Sequence, residues 1–183
     1  MFAIATGTTA RRVGASTSWP WVAVALGCGV APVLALVFGS GVVPFNGAGI
    51  VPVAGIIIGG TMTAHSLTGR RAFSALREER GLVEAGMALG LERGPAVLEV
   101  IGRRSREALT PVLDQTRTVG LVTLPGAFIG VLLGGGSAIE AGTAQLLVLV
   151  GLLAAETVTV VVTQQLIAAR RVMPADIRAT LPP

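Results

Sequence analysis

Charge is missing from most of this chain and crowded into one stretch of it. Residues 70–107 hold eight of the fourteen arginines and six of the ten acidic residues, and long apolar runs lie on both sides. About 20 consecutive apolar residues cross a bilayer as a helix, the one single-segment structure that satisfies its own backbone polar groups in lipid. The chain is therefore expected to fold as membrane-crossing helices around one polar island. Composition agrees: 52% of the 183 residues are hydrophobic and 13% charged, too few polar groups to cover a water-soluble domain.

The reading is an all-α, polytopic integral membrane protein forming one transmembrane domain over 1–183. It has about four full spans and a partial N-terminal one. Residues 1–10 are apolar but too short to cross, and they read as the tail of an incomplete span closed by Arg11 and Arg12. The first full span runs from 19 to 38, with Trp19 and Trp21 at an interfacial position and Pro32 as a kink site. The second covers 50–67 and contains Pro52, Gly55, Gly59 and Gly60, small residues that permit close helix approach. The third runs from 109 to 133, interrupted near Gly120 and Pro125-Gly126, and the fourth from 145 to 168, closed by Arg170 and Arg171. Cys28 reads as a small buried packing residue.

All basic residues are arginine, and the formal net charge is +4. They flank the spans, so they read as topology anchors and not as a nucleic-acid surface. The loops 39–49 and 134–143 contain no Arg or Lys. The island and the C-terminus are thus expected on the cytoplasmic side of the cell membrane. Within the island two helices are expected, 70–84 and 92–109, joined by a turn between Gly90 and Gly94, with Pro95 in a first helical turn. Arg77 with Glu78 or Glu79, and Arg103, Arg104 and Arg106 with Glu99 and Glu107, are expected as weak ion pairs on solvated faces.

Five short segments recur in a fixed order: Pro52–Gly59, Glu84–Gly90, Ala108–Pro111, Thr118–Gly126 and Ile139–Gln145. In this order the chain resembles the iron-export permeases of the FetB/YbbM type, membrane subunits of ATP-binding cassette transporters with plant relatives linked to aluminium tolerance. It departs from their pattern at Gly60 and Thr63, where they carry Asn, and at Val131 and Ala138. It also begins later than they do, as a truncated product or one with a displaced start would.

The resemblance implies that Glu84, Ala85, Met87, Leu89 and Gly90 form the coupling helix for a separate ATPase. On the residues alone, the same segment reads more readily as an amphipathic loop helix with no partner, and the resemblance reverses that order. The chain contains no P-loop, nucleophile triad or Cys/His zinc spacing. It is therefore not expected to be an enzyme or to bind a cofactor, and ATP would be used by the partner subunit. A homodimer with metal ion as substrate, iron first, completes that reading. An ATP-independent secondary transporter or channel, or a non-functional remnant, are the alternatives.

Inside the spans, Asp114 and Arg117 are three apart on one helix face, beside Gln115. They fit either the mouth of a substrate path or a mutually satisfied structural pair. Gly120, Pro125 and Gly126 fit a broken helix of the kind that offers carbonyl ligands, or a simple hinge. Met62 and His65 are weak metal-ligand candidates. Met62 and Thr63 are placed on the substrate path of the second span. Glu156, midway along the fourth, is either a proton or cation site or a carboxyl hydrogen-bonded to a neighbour.

Overall fold

The computed structural model describes residues 2–12, 18–43, 45–118 and 126–180, and these are all helix and short connections. In chain order the helices are α1 (Phe2–Arg12), α2 (Trp19–Gly39), α3 (Gly47–Glu78), α4 (Arg80–Ala88), α5 (Arg93–Ser105), α6 (Thr110–Thr118), α7 (Gly126–Leu133), α8 (Ala138–Ala168) and α9 (Ala175–Thr180). A 3-10 turn, Arg106–Leu109, links α5 to α6.

Among the described residues, three helices are long and apolar enough to cross a membrane, and they correspond to α2, α3 and α8. At 1.5 Å per residue the 32 residues of α3 extend about 48 Å, well beyond a hydrocarbon core of about 30 Å. One continuous helix thus carries the apolar second span into the charged island. The chain is a membrane protein, all-α as its sequence implies. The expected third span corresponds to two short helices, α6 and α7, and the seven residues between them lie outside the described set. Eleven-residue α1 packs on α2 and α3, burying Ala5, Thr6, Thr9 and Ala10.

The start signals of the two longest helices are plain chemistry. Asn46 caps α3 by accepting a hydrogen bond from the Gly49 N–H at 2.9 Å. Ser137 and Glu140 form a reciprocal capping box at the start of α8.

Packing fixes the topology. A Cβ at Gly29 of α2 would meet Thr159 Oγ1 and, at 2.5 Å, the Ala155 carbonyl of α8, while one at Gly151 would meet Val33 Cγ1 at 2.9 Å. Rising numbers on α2 therefore meet falling numbers on α8, an antiparallel pair. Gly60 faces Leu152 and Glu156, and His65 faces Thr163, so α3 and α8 run parallel. The same end of the bundle gathers Trp21, which Arg171 covers at 4.7 Å from the ring centroid.

At that end the island is a folded subdomain. Phe73 and Leu76 of α3, Val83 of α4, Val97 and Ile101 of α5, Ile167 of α8 and Ile177 of α9 share one core. Apart from Arg80–Glu84 within α4, the subdomain's ion pairs among the described residues link different parts of it and differ from the pairs expected by proximity in sequence. Arg104 reaches both Glu78 and Glu79 at 2.6 Å, Arg71 reaches Glu107 at 2.9 Å, and Arg77 reaches Asp176 at 2.8 Å. Three helical pieces replace the two expected, because α3 ends at Glu78 and the chain turns at Glu79 before α4.

Cys28 corrects a sequence expectation. It is exposed on the outer face of α2. Gly29, its neighbour, takes the crowded contact with α8, and in a membrane-crossing helix a small apolar side chain is equally stable facing lipid.

Candidate functional site

Two places gather the residues singled out by sequence. The first is a cleft of about 290 Å³ between α3, α6 and α8, whose lining includes Gly59, Gly60 and Thr63 of α3, Gln115 of α6, and Leu152 and Glu156 of α8. Its geometry starts from a missing side chain. A Cβ on Gly60 would lie 2.5 Å from Glu156 Oε1 and would also overlap Leu152 Cδ1. Glycine at 60 therefore lets α8 lay a carboxylate directly against the α3 backbone. Glu156 is 5% exposed, and no described residue gives its carboxylate a hydrogen bond or ion pair. Thr63 donates its hydroxyl to the Gly59 carbonyl at 3.0 Å, which leaves the lone pairs of its Oγ1 available towards the cleft.

Of the expected path residues, the cleft brings together Thr63, Gln115 and Glu156. Met62 turns elsewhere on α3 and packs in the cluster formed by Ala10, Val22, Leu26 and Val172. His65 is fully buried, with Nδ1 2.8 Å from Thr163 Oγ1, and its Nε2 has no hydrogen-bond partner among the described residues. Asp114 and Arg117 pair across one turn of α6 at 3.8 Å, with both side chains largely exposed. Gly126 opens α7 and is exposed, whereas Gly120 and Pro125 lie outside the described residues. No cluster of three or more His, Cys, Asp or Glu side chains able to hold a metal occurs among the described residues.

The second place is an elbow formed by α4, Gly90 and the start of α5. Gly90 has φ +96°, the left-handed region that glycine enters without strain, so the chain reverses sharply there. Gly86 allows Ala96 to close to ordinary contact, 3.4 Å from where a Cβ would sit. Val83 and Met87, four apart, turn inward onto the island core. Leu82, Ala85 and Leu89 turn outward, and Leu82, Leu89 and Leu91 are 58%, 87% and 47% exposed. They border an open groove of about 680 Å³ whose rim includes Glu99, Arg103 and Arg104. Glu84 is tied to Arg80 at 2.9 Å, one helical turn back.

Sequence reasoning passed over several residues that matter here. Leu82 shares a helical face with Ala85 and Leu89, a spacing of three and four that was available to find it. Gly60 was visible as one of several small residues allowing close helix approach and as a departure from a pattern, but its contact with Glu156 was not. Arg104 and Asp176 act across 26 and 99 positions, and no local signal marks them.

Residues 1–172 match the model of the uncharacterised protein family UPF0014. The chain belongs to the UPF0014 family. Among its relatives, the UPF0014 membrane protein STAR2 of Oryza sativa subsp. japonica is 37% identical over 137 residues, 75% of this chain and 48% of that protein. Protein ALUMINUM SENSITIVE 3 of Arabidopsis thaliana is 36% identical over 118 residues, 64% of this chain and 43% of that protein. The probable iron export permease protein FetB of Escherichia coli (strain K12) is 29% identical over 142 residues, 78% of this chain and 54% of that protein. The chain spans about half the length of the curated relatives it matches. No solved structure matches it. As a UPF0014 member the chain places both the cleft and the elbow inside the matched segment.

Proposed function

We propose that this UPF0014 chain is a permease subunit of an ATP-binding cassette exporter for metal ions, driven by a separate ATPase that seats on the elbow. The observation that carries the reading is the elbow itself. It offers Leu82, Leu89 and Leu91 to solvent from a base that is locked into the island core and held by Arg104 on Glu78 and Glu79. An apolar patch on a rigid polar subdomain is what a soluble partner needs to grip and move a membrane helix. Similarity to a protein named as an iron export permease supplies the substrate class, metal ion with iron first.

On this reading the end of the bundle that carries the arginines, with the elbow and the C-terminus, faces the cytoplasm of a cell whose plasma membrane holds the protein, as the positive-inside rule favours. Two copies would pair around the path, as an ATPase dimer requires two docking sites. The chain itself binds no nucleotide in this reading, performs no chemical step, and has no nucleic-acid partner.

The test is co-purification of an ATPase encoded beside this chain. It is expected to be retained by the wild type and lost when Glu84 and Gly90 are both replaced. Cells lacking the gene should accumulate iron. Unchanged iron with another solute accumulating would remove the iron assignment, and an ATPase still bound by the doubly replaced chain would remove the docking assignment.

A further inference from the structure

We propose that the cleft between α3, α6 and α8 binds a hard, oxygen-preferring metal cation, with Glu156 as its one charged ligand among the described residues. The proposal deepens the permease reading and rests on it for the source of the cation, but the binding itself needs no ATPase.

A carboxylate that is 5% exposed and has no hydrogen-bond or ion-pair partner among the described residues is a costly arrangement. Burying an uncompensated charge costs several kcal/mol, so the group needs either a cation or a proton. The cleft supplies room for a cation, at about 290 Å³. It also supplies oxygen donors, since Thr63 Oγ1 and the Gln115 side chain line it together with the Glu156 carboxylate.

The soft donors are elsewhere. Met62 is packed among apolar side chains and His65 is bonded to Thr163, although both stand within a few residues of the cleft on α3. An all-oxygen donor set selects cations such as Mn²⁺, Mg²⁺ and Ca²⁺, and trivalent hard ions, over Cu⁺. A single protein charge implies a cation that keeps part of its water shell and dissociates readily, with a dissociation constant on the order of 10⁻⁴ to 10⁻³ M. That range suits a site on a path, where release must follow binding.

Gly60 is part of the site by this logic. Any side chain there crowds the carboxylate, so the Gly60→Ala change displaces Glu156 without replacing a ligand side chain.

The experiment uses the full chain in phosphatidylcholine nanodiscs, with Mn²⁺ as the probe and loss of the free-ion electron paramagnetic resonance signal as the readout. Wild type should bind one Mn²⁺ per chain. E156Q, which keeps size and shape, should weaken binding at least tenfold, and T63V and G60A should each weaken it several-fold. Mg²⁺ or Ca²⁺ should compete, and Cu⁺ at equal concentration should not. Wild-type affinity in E156Q overturns the site. So does a folded wild type that takes up no Mn²⁺, the result a protonated carboxyl gives. Should E156Q not fold, unchanged affinity in both T63V and G60A is the overturning result. Replacing Glu84 and Gly90 leaves Mn²⁺ binding intact, so failure of the site and failure of the docking reading are read separately.

Discussion

Leu89 gives the sharpest test of the docking surface, because its side chain is 87% exposed and the fold hardly uses it. Leu89 is the C-cap of α4, but it caps through its backbone N–H, which alanine keeps, so losing the exposed side chain should shift stability by less than about 0.5 kcal/mol. Fully burying a leucine in a partner is worth about 1.5–3 kcal/mol. Leu89→Ala would forfeit most of that, about 2 kcal/mol, or roughly a thirtyfold rise in dissociation constant. Val83 is the control with the opposite signature. It is fully buried on the inner face of the same helix. Val83→Ala leaves a cavity and costs about 1–3 kcal/mol of folding stability. The assay is biolayer interferometry of the purified ATPase against the chain in nanodiscs, run beside a thermal melt of each variant. The expected pattern is a changed dissociation constant with an unchanged melt for L89A, and a lowered melt for V83A. An L89A variant that binds the ATPase as the wild type does would refute the reasoning, as would one whose melt falls as far as that of V83A.

Three further outcomes are expected. Gly29→Ala places a methyl 2.5 Å from the Ala155 carbonyl as well as against Thr159 Oγ1, so α2 and α8 must separate. The melt should fall by an amount matching about 1–3 kcal/mol of overpacking, with only partial rescue by Thr159→Ala because the backbone contact remains. Arg104→Ala unties both Glu78 and Glu79, at the junction of α3 and α4, from α5, and hydrogen exchange of residues 79–83 should accelerate while that of α8 stays unchanged. Finally, hydrogen bonds from Arg77 hold the Asp176 carboxyl below the usual carboxylate range. A lowered folded-state value means the contribution is complete above the unfolded value of about 3.9 and is lost as pH falls through the folded one. The melting temperature of wild type minus that of D176N should therefore be constant near neutrality and shrink below about pH 4.

The spans were legible where a single physical force decides them. The apolar runs behind α2, α3 and α8 leave lipid as the solvent, and helices are the available solution. Gly90 was legible for the same reason: a turn that needs positive φ asks for glycine. The island was harder to read. Its helices are held by Arg104 and Arg77 reaching residues distant in sequence, so pairing by neighbour gave the wrong partners and one helix too few. The site was legible residue by residue and not as a constellation. Thr63, Gln115 and Glu156 were each marked by being polar within or beside an apolar run. That they converge, and that Met62 and His65 on the same helix do not, follows from the rotation of α3 against α8. That rotation is set by the close approach at Gly60.

The continuity of α3 joins the two candidate places. From Gly60 at the cleft to Glu78 at the island is one unbroken helix, 18 residues or about 27 Å at 1.5 Å each. Arg104 clamps the far end to α5, and the elbow stands on that clamp. If a partner pulls on Leu89, the force therefore reaches α3 through a rigid core and not through a loose loop. A soft point on the rod is Gly59-Gly60, where two adjacent residues lack side chains and glycine lowers helix stability by about 1 kcal/mol each. Bending there would move Thr63 relative to Glu156, since one lies beyond the bend on α3 and the other on α8. A docking surface and a cation site that share one helix, with its soft point at the cation site, can act on each other. On the proposed reading, docking would change the distance between two of the cation's ligands, Thr63 and Glu156, and so supply the differential affinity that alternating access requires.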